Sequence, residues 1–408
     1  MKNQRERWLT GNLLAPTLAA RAMVPANPMF SVCGDARDVR AMGDQGSFLY
    51  FAAEVRARTD AWLASWLDAR VSEARGRGAD VGAVADAIRQ LVLRGGKRMR
   101  AVLLAAVYDG CGGEGGLDRI APAGAALELL QAYLLAHDDW MDGDDVRRGG
   151  PSIPAMMRDR FGKHAGAAPT THPMPPASAT PGQNRADAAS ILAGDLAAAW
   201  ALGSMLELTL APARVVLAMR ELGRVEEHVV QGQVLDVCAI AGDRGDVEAG
   251  YALKTASYTV RGPIIMGARL AGASDDEVAA LTAFAEPLGV AFQLRDDVLG
   301  TFGDARNMGK PSGGDLRKGK RTALVVDAMR DPRAGALLSR VLGRPDASLE
   351  DTTAAVAGLE SSGARARVEE RIATLVTQSL KELDRVRLTA TGRSFLAQAV
   401  VALTARDR

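Results

Sequence analysis

The sequence predicts an all-α protein, and three observations carry that reading. Apolar residues recur at mixed spacings of three and four over long stretches, as in "FLYFAAEVRARTDAWLASWLDARVSEA" from Phe48 to Ala74. Period-two alternation, the mark of a half-buried strand, is scarce. Alanine and leucine, both strong helix formers, are abundant, and hydrophobic residues make up 48% of 408 positions, enough for a large core.

Taken in order, residues 1–48 are poorly patterned and are expected to be a poorly ordered N-terminal segment, with the helical domain running from 49 to 408. Gly and Pro mark the turns between helices. One segment breaks the rhythm. Residues 164–187, "HAGAAPTTHPMPPASATPGQNRAD", hold five prolines and read as a flexible surface insertion, because proline at that density breaks a helix. The helical pattern then resumes and continues towards the end of the chain.

Composition narrows the function classes. Lys plus Arg number 50 and Asp plus Glu 49, so no overall field favours nucleic acid or an anionic membrane. Cys33, Cys111 and Cys238 are far apart and lack a CxxC spacing, which argues against a disulfide framework or a zinc site and fits a reducing cytoplasm. The longest apolar stretch near a span, Leu196 to Leu206, falls short of the ~20 residues a membrane helix needs. The basic N-terminus is broken by Gly11 and Pro16 and does not read as a secretory signal.

The chemistry concentrates in two acidic clusters. The first ends an apolar helix, "GAALELLQAYLLAHDDWMDGDDVRRGGP". Asp138, Asp139 and Asp142 fall at three and four spacings and are expected to share a face before Gly143 stops the helix. Like charges at a helix C-terminus are doubly disfavoured, by each other and by the helix dipole. A bound divalent cation reverses both effects, and Mg²⁺ takes carboxylate oxygens while sharing substrate phosphates. Gln131 lies two turns upstream on the same face, and Arg147 and Arg148 follow closely. Acids for metal beside arginines for phosphate oxygens describe a diphosphate site. Asp144 and Asp145, beyond the stop, read as solvated or as local partners of the arginines.

The second cluster, Asp296 and Asp297, again ends an apolar helix, with Gln293 one turn back and Pro287 expected to kink it. A loop rich in Gly and Lys follows, carrying Lys310, Lys318 and Lys320. Lys97, Arg98 and Arg100 stand at an expected helix start after Gly95 and Gly96, where anions are favoured. Lys254 and Thr255 interrupt an apolar helix, and Gln233 and Asp236 mark the polar side of another.

These stretches, in this order, resemble the trans-prenyltransferases, or polyprenyl diphosphate synthases: GGKRxR (95–100), Q-x6-DDxxD-x4-RRGxP (131–151), GDL (194–196), GQ-x2-D (232–236), KT (254–255), FQxxDD (292–297) and GK-x4-DL-x3-K (309–320). The resemblance implies an isoprenoid-synthase-type all-α bundle around a central cavity, usually a homodimer. It implies head-to-tail condensation of isopentenyl diphosphate with dimethylallyl, geranyl or farnesyl diphosphate. It implies Mg²⁺, three ions with substrate bound, with Mn²⁺ as a substitute. By motif position Asp138, Asp139 and Asp142 resemble the first metal-binding aspartates, and Asp296 and Asp297 the second. Arg147, Lys254, Thr255, Gln293 and Lys310 resemble the allylic diphosphate contacts. Lys97, Arg100, Gln131 and Arg148 resemble the isopentenyl diphosphate site, and Lys320 a group that closes over substrate. The second motif departs from the usual DDxxD: its last position is Gly300, and Asp304 is the nearest acidic substitute in sequence.

In this family's terms, product length follows from the cavity floor. Tyr133 precedes Asp138 by five residues, ~7.5 Å of helix, and Leu134 by four, so both lie deeper than the metals. One bulky residue there implies geranylgeranyl diphosphate, with farnesyl diphosphate as the alternative. A class I terpene cyclase or a regulatory subunit of a heteromeric synthase are the remaining readings.

Overall fold

The computed structural model describes residues 38–162, 181–238, 244–303 and 313–405. Contacts divide the chain after Gly43, and the unit from Asp44 onward is described here. Its elements are helices α1 (Asp38–Arg77), α2 (Ala79–Leu93), α3 (Met99–Gly110) and α4 (Ala121–Asp142), then a two-stranded hairpin, β1 (Val146–Arg147) and β2 (Gly150–Pro151). Helices α5 (Ile153–Phe161), α6 (Pro181–Met205), α7 (Pro212–Val237) and α8 (Arg244–Tyr251) follow. A π-helix (Ala252–Arg261) leads into α9 (Gly262–Ala271) and α10 (Asp275–Phe302). The remainder is α11 (Gly314–Arg317), α12 (Ala323–Ala328), α13 (Pro332–Leu338), α14 (Leu349–Ser361), α15 (Ala364–Leu383) and α16 (Ala390–Thr404).

The all-α expectation holds. Helix α3 explains the architecture: Ala101 through Tyr108 are all buried, so it is apolar on every side and must be wrapped. It packs on α4, α9 and α16, while α4 lies along α6, and α10 along α15 and the π-helix. One large core joins α1 through α7, α9, the N-terminal half of α10 and α16. A second core lies under the C-terminal half of α10, where Leu294 and Val298 meet Leu316, Leu324, Leu359 and Val368.

Local signals set the boundaries that matter. Gly143 adopts φ 67° and stops α4 directly after Asp142. Ser274 and Glu277 form a capping box that starts α10. Helix α10 runs through Pro287 as a single element and ends at Phe302, so Asp296 and Asp297 lie inside it rather than at its end.

Three boundaries differ from the sequence reading. Helix α1 begins at Asp38, earlier than residue 49. Residues 181–187 of the expected insertion belong to α6, whose first residue is Pro181; proline is tolerated there because the first turn needs no N–H donor. Residues 163–180 lie outside the described residues, as do 1–37. Helix α6 is also longer than the apolar run 196–206. By length and composition Gly182–Met205 is apolar enough to cross a membrane, yet 50% of its most apolar window is buried inside this fold.

Candidate active site

The end of α4 presents its acids in two directions. Successive helical residues are rotated by about 100°, so Asp138 and Asp139 cannot face the same way. Asp139 turns inward and is 0% exposed. It accepts hydrogen bonds from Arg147 Nε at 2.8 Å and from Arg147 Nη2. Its second oxygen, Oδ2, is buried and has no partner among the described residues. Burial pushes the Asp139 carboxyl up from its ordinary value, and the Arg147 guanidinium pulls against that. The expected three-carboxylate face is therefore corrected to two: Asp138 and Asp142 look outward, and Asp139 anchors Arg147.

Cations from three elements meet the outward pair. Lys254 Nζ of the π-helix lies 3.7 Å from Asp138 and 2.5 Å from Asp236 of α7. Lys318 Nζ, beyond α11, lies 3.4 Å from Asp142 and 2.5 Å from Asp144. Asp144 is largely shielded and also lies 3.2 Å from Arg147 Nη2, so it is a partner rather than a solvated acid. Asp145 remains exposed and pairs with Arg158. The close fit behind Lys254 requires Gly232: a Cβ there would stand 2.6 Å from the Lys254 nitrogen. A π-helix at this position is the kind of local rearrangement that places functional side chains. Thr255 sits beside Lys254 in it, half-buried.

A second basic corner lies below the hairpin. Val146 pairs with Pro151 and Arg147 with Gly150, leaving Arg148 and Gly149 as a two-residue turn. Both have positive φ, 52° and 71°, as a type I′ turn demands. For arginine this is strained, and the structure holds it in place. Arg148 Nη2 donates to Gln131 Oε1 at 2.7 Å and Nη1 to the Leu91 carbonyl at 3.5 Å. Arg94 donates to the Arg147 and Pro151 carbonyls at 3.1 and 2.5 Å, which clamps the hairpin. Burial lowers the Arg148 pKa; Glu128 opposes this, while Arg98, Arg100 and Arg147 add to it.

Arg98, the middle cation of its motif, faces the core. It is bound to Glu128 at 2.5 Å, Asp60 at 2.8 Å and the Val92 carbonyl at 2.7 Å. Arg100 bonds Thr259 at 3.1 Å and lies 4.4 Å over the Tyr258 ring, and its Nε is buried without a partner among the described residues. Lys97 is exposed at the start of α3. Arg98 and Arg148 thus share Glu128 Oε2, at 2.5 and 3.7 Å, while Glu128 Oε1 is buried with no partner among the described residues.

The second acidic pair divides as the first does. Asp297 is 5% exposed and accepts from Gln293 Nε2 at 2.8 Å and from the Tyr251 hydroxyl. Tyr251 in turn accepts the Ala323 N–H at 3.0 Å, tying α8, α10 and α12 together. Burial pushes Asp297 up to about 7, against these hydrogen bonds. Asp296 is only half-buried. At Gly300, where a third carboxylate was expected, a Cβ would stand 2.7 Å from Asp315 Oδ2. Asp315 of α11 therefore occupies that space; Asp304 and Lys310 lie outside the described residues. Lys320 Nζ lies 3.8 Å from Asp315; burial would lower its pKa, yet Asp315, Asp142, Asp138 and Asp236 raise it.

Tyr133 and Leu134 are half-buried deeper along α4, with Tyr133 edge-on to His137 at 5.0 Å. The sequence did not single out Glu128, Arg94, Tyr251 or His137, and it carried Asp315 within the GK-x4-DL-x3-K stretch without placing it beside Gly300. Glu128 also carried a signal, as a lone acid in an apolar run three residues before Gln131.

Among the described residues no three His, Cys, Asp or Glu side chains converge tightly enough to hold an ion unaided. Hard carboxylate oxygens on Asp138 and Asp142, with the orphaned Asp139 Oδ2 behind them, nonetheless fit Mg²⁺, which keeps waters and shares phosphates rather than needing a protein cage.

Residues 82–359 match the polyprenyl synthetase family. The chain belongs to that family. It is a prenyltransferase with the all-α fold of these synthases. Among its relatives, the geranylgeranyl diphosphate synthase of Methanosarcina mazei is 30% identical over 304 residues, 74% of this chain and 83% of that one. The short chain isoprenyl diphosphate synthase of Methanocaldococcus jannaschii is 30% identical over 289 residues, 68% and 76% of the two chains. A geranylgeranyl pyrophosphate synthase from Corynebacterium glutamicum, crystallised with isoprenyl diphosphate and magnesium, superposes with a TM-score of 0.77 at 30% identity, covering 87% of this chain and 98% of that one.

Proposed function

We propose that this synthase condenses isopentenyl diphosphate head-to-tail with allylic diphosphates to give geranylgeranyl diphosphate, in a Mg²⁺-dependent reaction. The observation that carries this is the pairing of two separate cationic corners across one acidic centre. Arg147, Lys254 and Lys318 surround the outward acids, and Arg100, Gln131 and Arg148 form a second corner. Two corners suit two diphosphates, and a cyclase needs only one.

Asp138 and Asp142 are the residues to hold metal at the first motif, with Asp296, Asp297 and Asp315 available at the second. Bound Mg²⁺ neutralises the diphosphate as it departs. Lys254, Lys318, Arg147 and Lys320 add fixed positive charge where that anion develops. Lys254 and Lys318 rest on carboxylates here, and phosphate oxygens offer them equivalent partners. Asp139 keeps Arg147 aimed, and Gln293 and Tyr251 keep Asp297 aimed.

The allylic C–O bond breaks, and the isopentenyl double bond attacks the resulting cation. A proton then leaves the new adduct for the departing diphosphate. Apolar walls from α3, α4, α6 and α7 keep water from the cation. Lys97, Arg100, Gln131 and Arg148 hold the isopentenyl diphosphate, and Tyr133 with Leu134 forms the floor. Thr255 lines the allylic site. Dimethylallyl, geranyl and farnesyl diphosphates are the expected primers, three Mg²⁺ ions the expected complement, and Mn²⁺ a substitute.

The reading extends to a cytoplasmic homodimer. Support comes from apolar side chains on α6 and α7 left open to solvent, among them Leu192, Leu202, Val234 and Val237. Product chromatography with isopentenyl diphosphate and each primer tests the whole assignment: a C20 product supports it, and no consumption of isopentenyl diphosphate refutes it.

A further inference from the structure

His137 directly precedes the metal-facing aspartates, and the proposed chemistry does not use it. Its surroundings are nevertheless built to hold it. A Cβ at residue 194 would stand 2.7 Å from His137 Nδ1 and 3.0 Å from Nε2, so Gly194 is the recess in α6 that admits the ring. The next residue of α6, Asp195, places Oδ1 3.6 Å from His137 Nε2. On the other side the ring meets Tyr133 edge-on, with centroids 5.0 Å apart and planes at 81°. Tyr133 and His137 are one helical turn apart on α4, so they share a face.

Tyr133 needs such a neighbour. Its hydroxyl makes no hydrogen bond among the described residues. Its phenol pKa is raised by burial, then by Glu226 of α7 and Asp195 of α6. A tyrosine on a helix has a choice of two staggered χ1 wells. An edge-on aromatic contact biases such a choice by roughly two- to tenfold.

We propose that His137, seated against Gly194 and beside Asp195, is a positioning residue for product length: it braces Tyr133 across the path of the growing chain. The proposal rests on Tyr133 being the cavity floor. Releasing the brace lets the ring swing aside and a longer prenyl chain pass. The residue acts through Tyr133 and not on the reacting atoms.

The test is the product distribution of the full-length protein with isopentenyl diphosphate, farnesyl diphosphate and Mg²⁺. His137→Ala is expected to raise the fraction of products beyond C20 by two- to tenfold, with the rate of the first condensation held within about twofold. His137→Phe, which keeps an aromatic edge, restores the native length. The double variant Tyr133→Ala/His137→Ala extends no further than Tyr133→Ala alone. A native distribution for His137→Ala beside a lengthened one for Tyr133→Ala overturns the brace and leaves the floor standing. An unchanged length for Tyr133→Ala overturns the floor, and the brace with it. Should His137→Ala not fold, His137→Gln takes its place, and native product length from that variant overturns the proposal equally.

Discussion

Asp139→Asn separates two tasks that the first aspartate motif combines. Asp139 is fully buried and holds the mostly buried Arg147 through two hydrogen bonds. Breaking a buried pair by removing one charge costs about 3–5 kcal/mol when nothing replaces it. Here Asp144, 3.2 Å from the same guanidinium, remains, so the loss should fall nearer 2–3 kcal/mol. For a domain of this size that is about 3–4 °C in Tm. Asp138 and Asp142 are more open, and their lysine partners lie 3.7 and 3.4 Å away. Pairs of that kind are worth about 0–1 kcal/mol, so Asp138→Asn and Asp142→Asn should shift Tm by less than about 2 °C. Activity divides the other way. The two outward variants raise the Mg²⁺ concentration for half-maximal rate by tenfold or more, while Asp139→Asn lowers the rate at saturating Mg²⁺ and leaves that concentration within threefold. Thermal unfolding in chelator and Mg²⁺ titrations of turnover measure both effects. An Asp139→Asn protein with native Tm and a tenfold higher Mg²⁺ requirement refutes the division of labour.

Three further outcomes follow from the geometry. Arg148→Lys loses the planar fork that a strained turn holds beside Gln131, so steady-state kinetics should show KM for isopentenyl diphosphate rising tenfold or more and KM for the allylic substrate changing less than threefold. Asp297, raised from 3.8 to about 7, keeps in the folded state a proton that the unfolded chain releases; metal-free stability should therefore fall as pH rises from about 4 to about 7, and Asp297→Asn should flatten that part of the Tm profile, whereas an identical profile in the variant contradicts the burial argument. Leu202→Glu with Val234→Glu places charge on the open apolar faces of α6 and α7, and light scattering should report a monomer; an unchanged dimer moves the interface elsewhere.

Much of the fold was legible because helix periodicity and stop signals are local. Gly143 ended α4 where its backbone preference required, and the aspartate spacings put Asp138 and Asp142 on one face. What was not legible depends on the chain folding back. The inward turn of Asp139 follows from the hairpin that brings Arg147 beneath α4, and a two-residue turn centred on arginine carries no ordinary turn signature. Asp315 filling the space beside Gly300 joins residues on different elements, so the sequence pointed instead to Asp304. Tyr251 was invisible for the same reason: it meets Asp297 and Ala323 only in three dimensions.

The central claim is that two diphosphates meet across one acidic centre. Incubating the purified protein with labelled isopentenyl diphosphate, farnesyl diphosphate and Mg²⁺ tests it most directly. Label is expected in a C20 prenyl diphosphate, lost on chelation. Label left wholly in isopentenyl diphosphate, or farnesyl diphosphate converted to a cyclic hydrocarbon without it, would contradict the account.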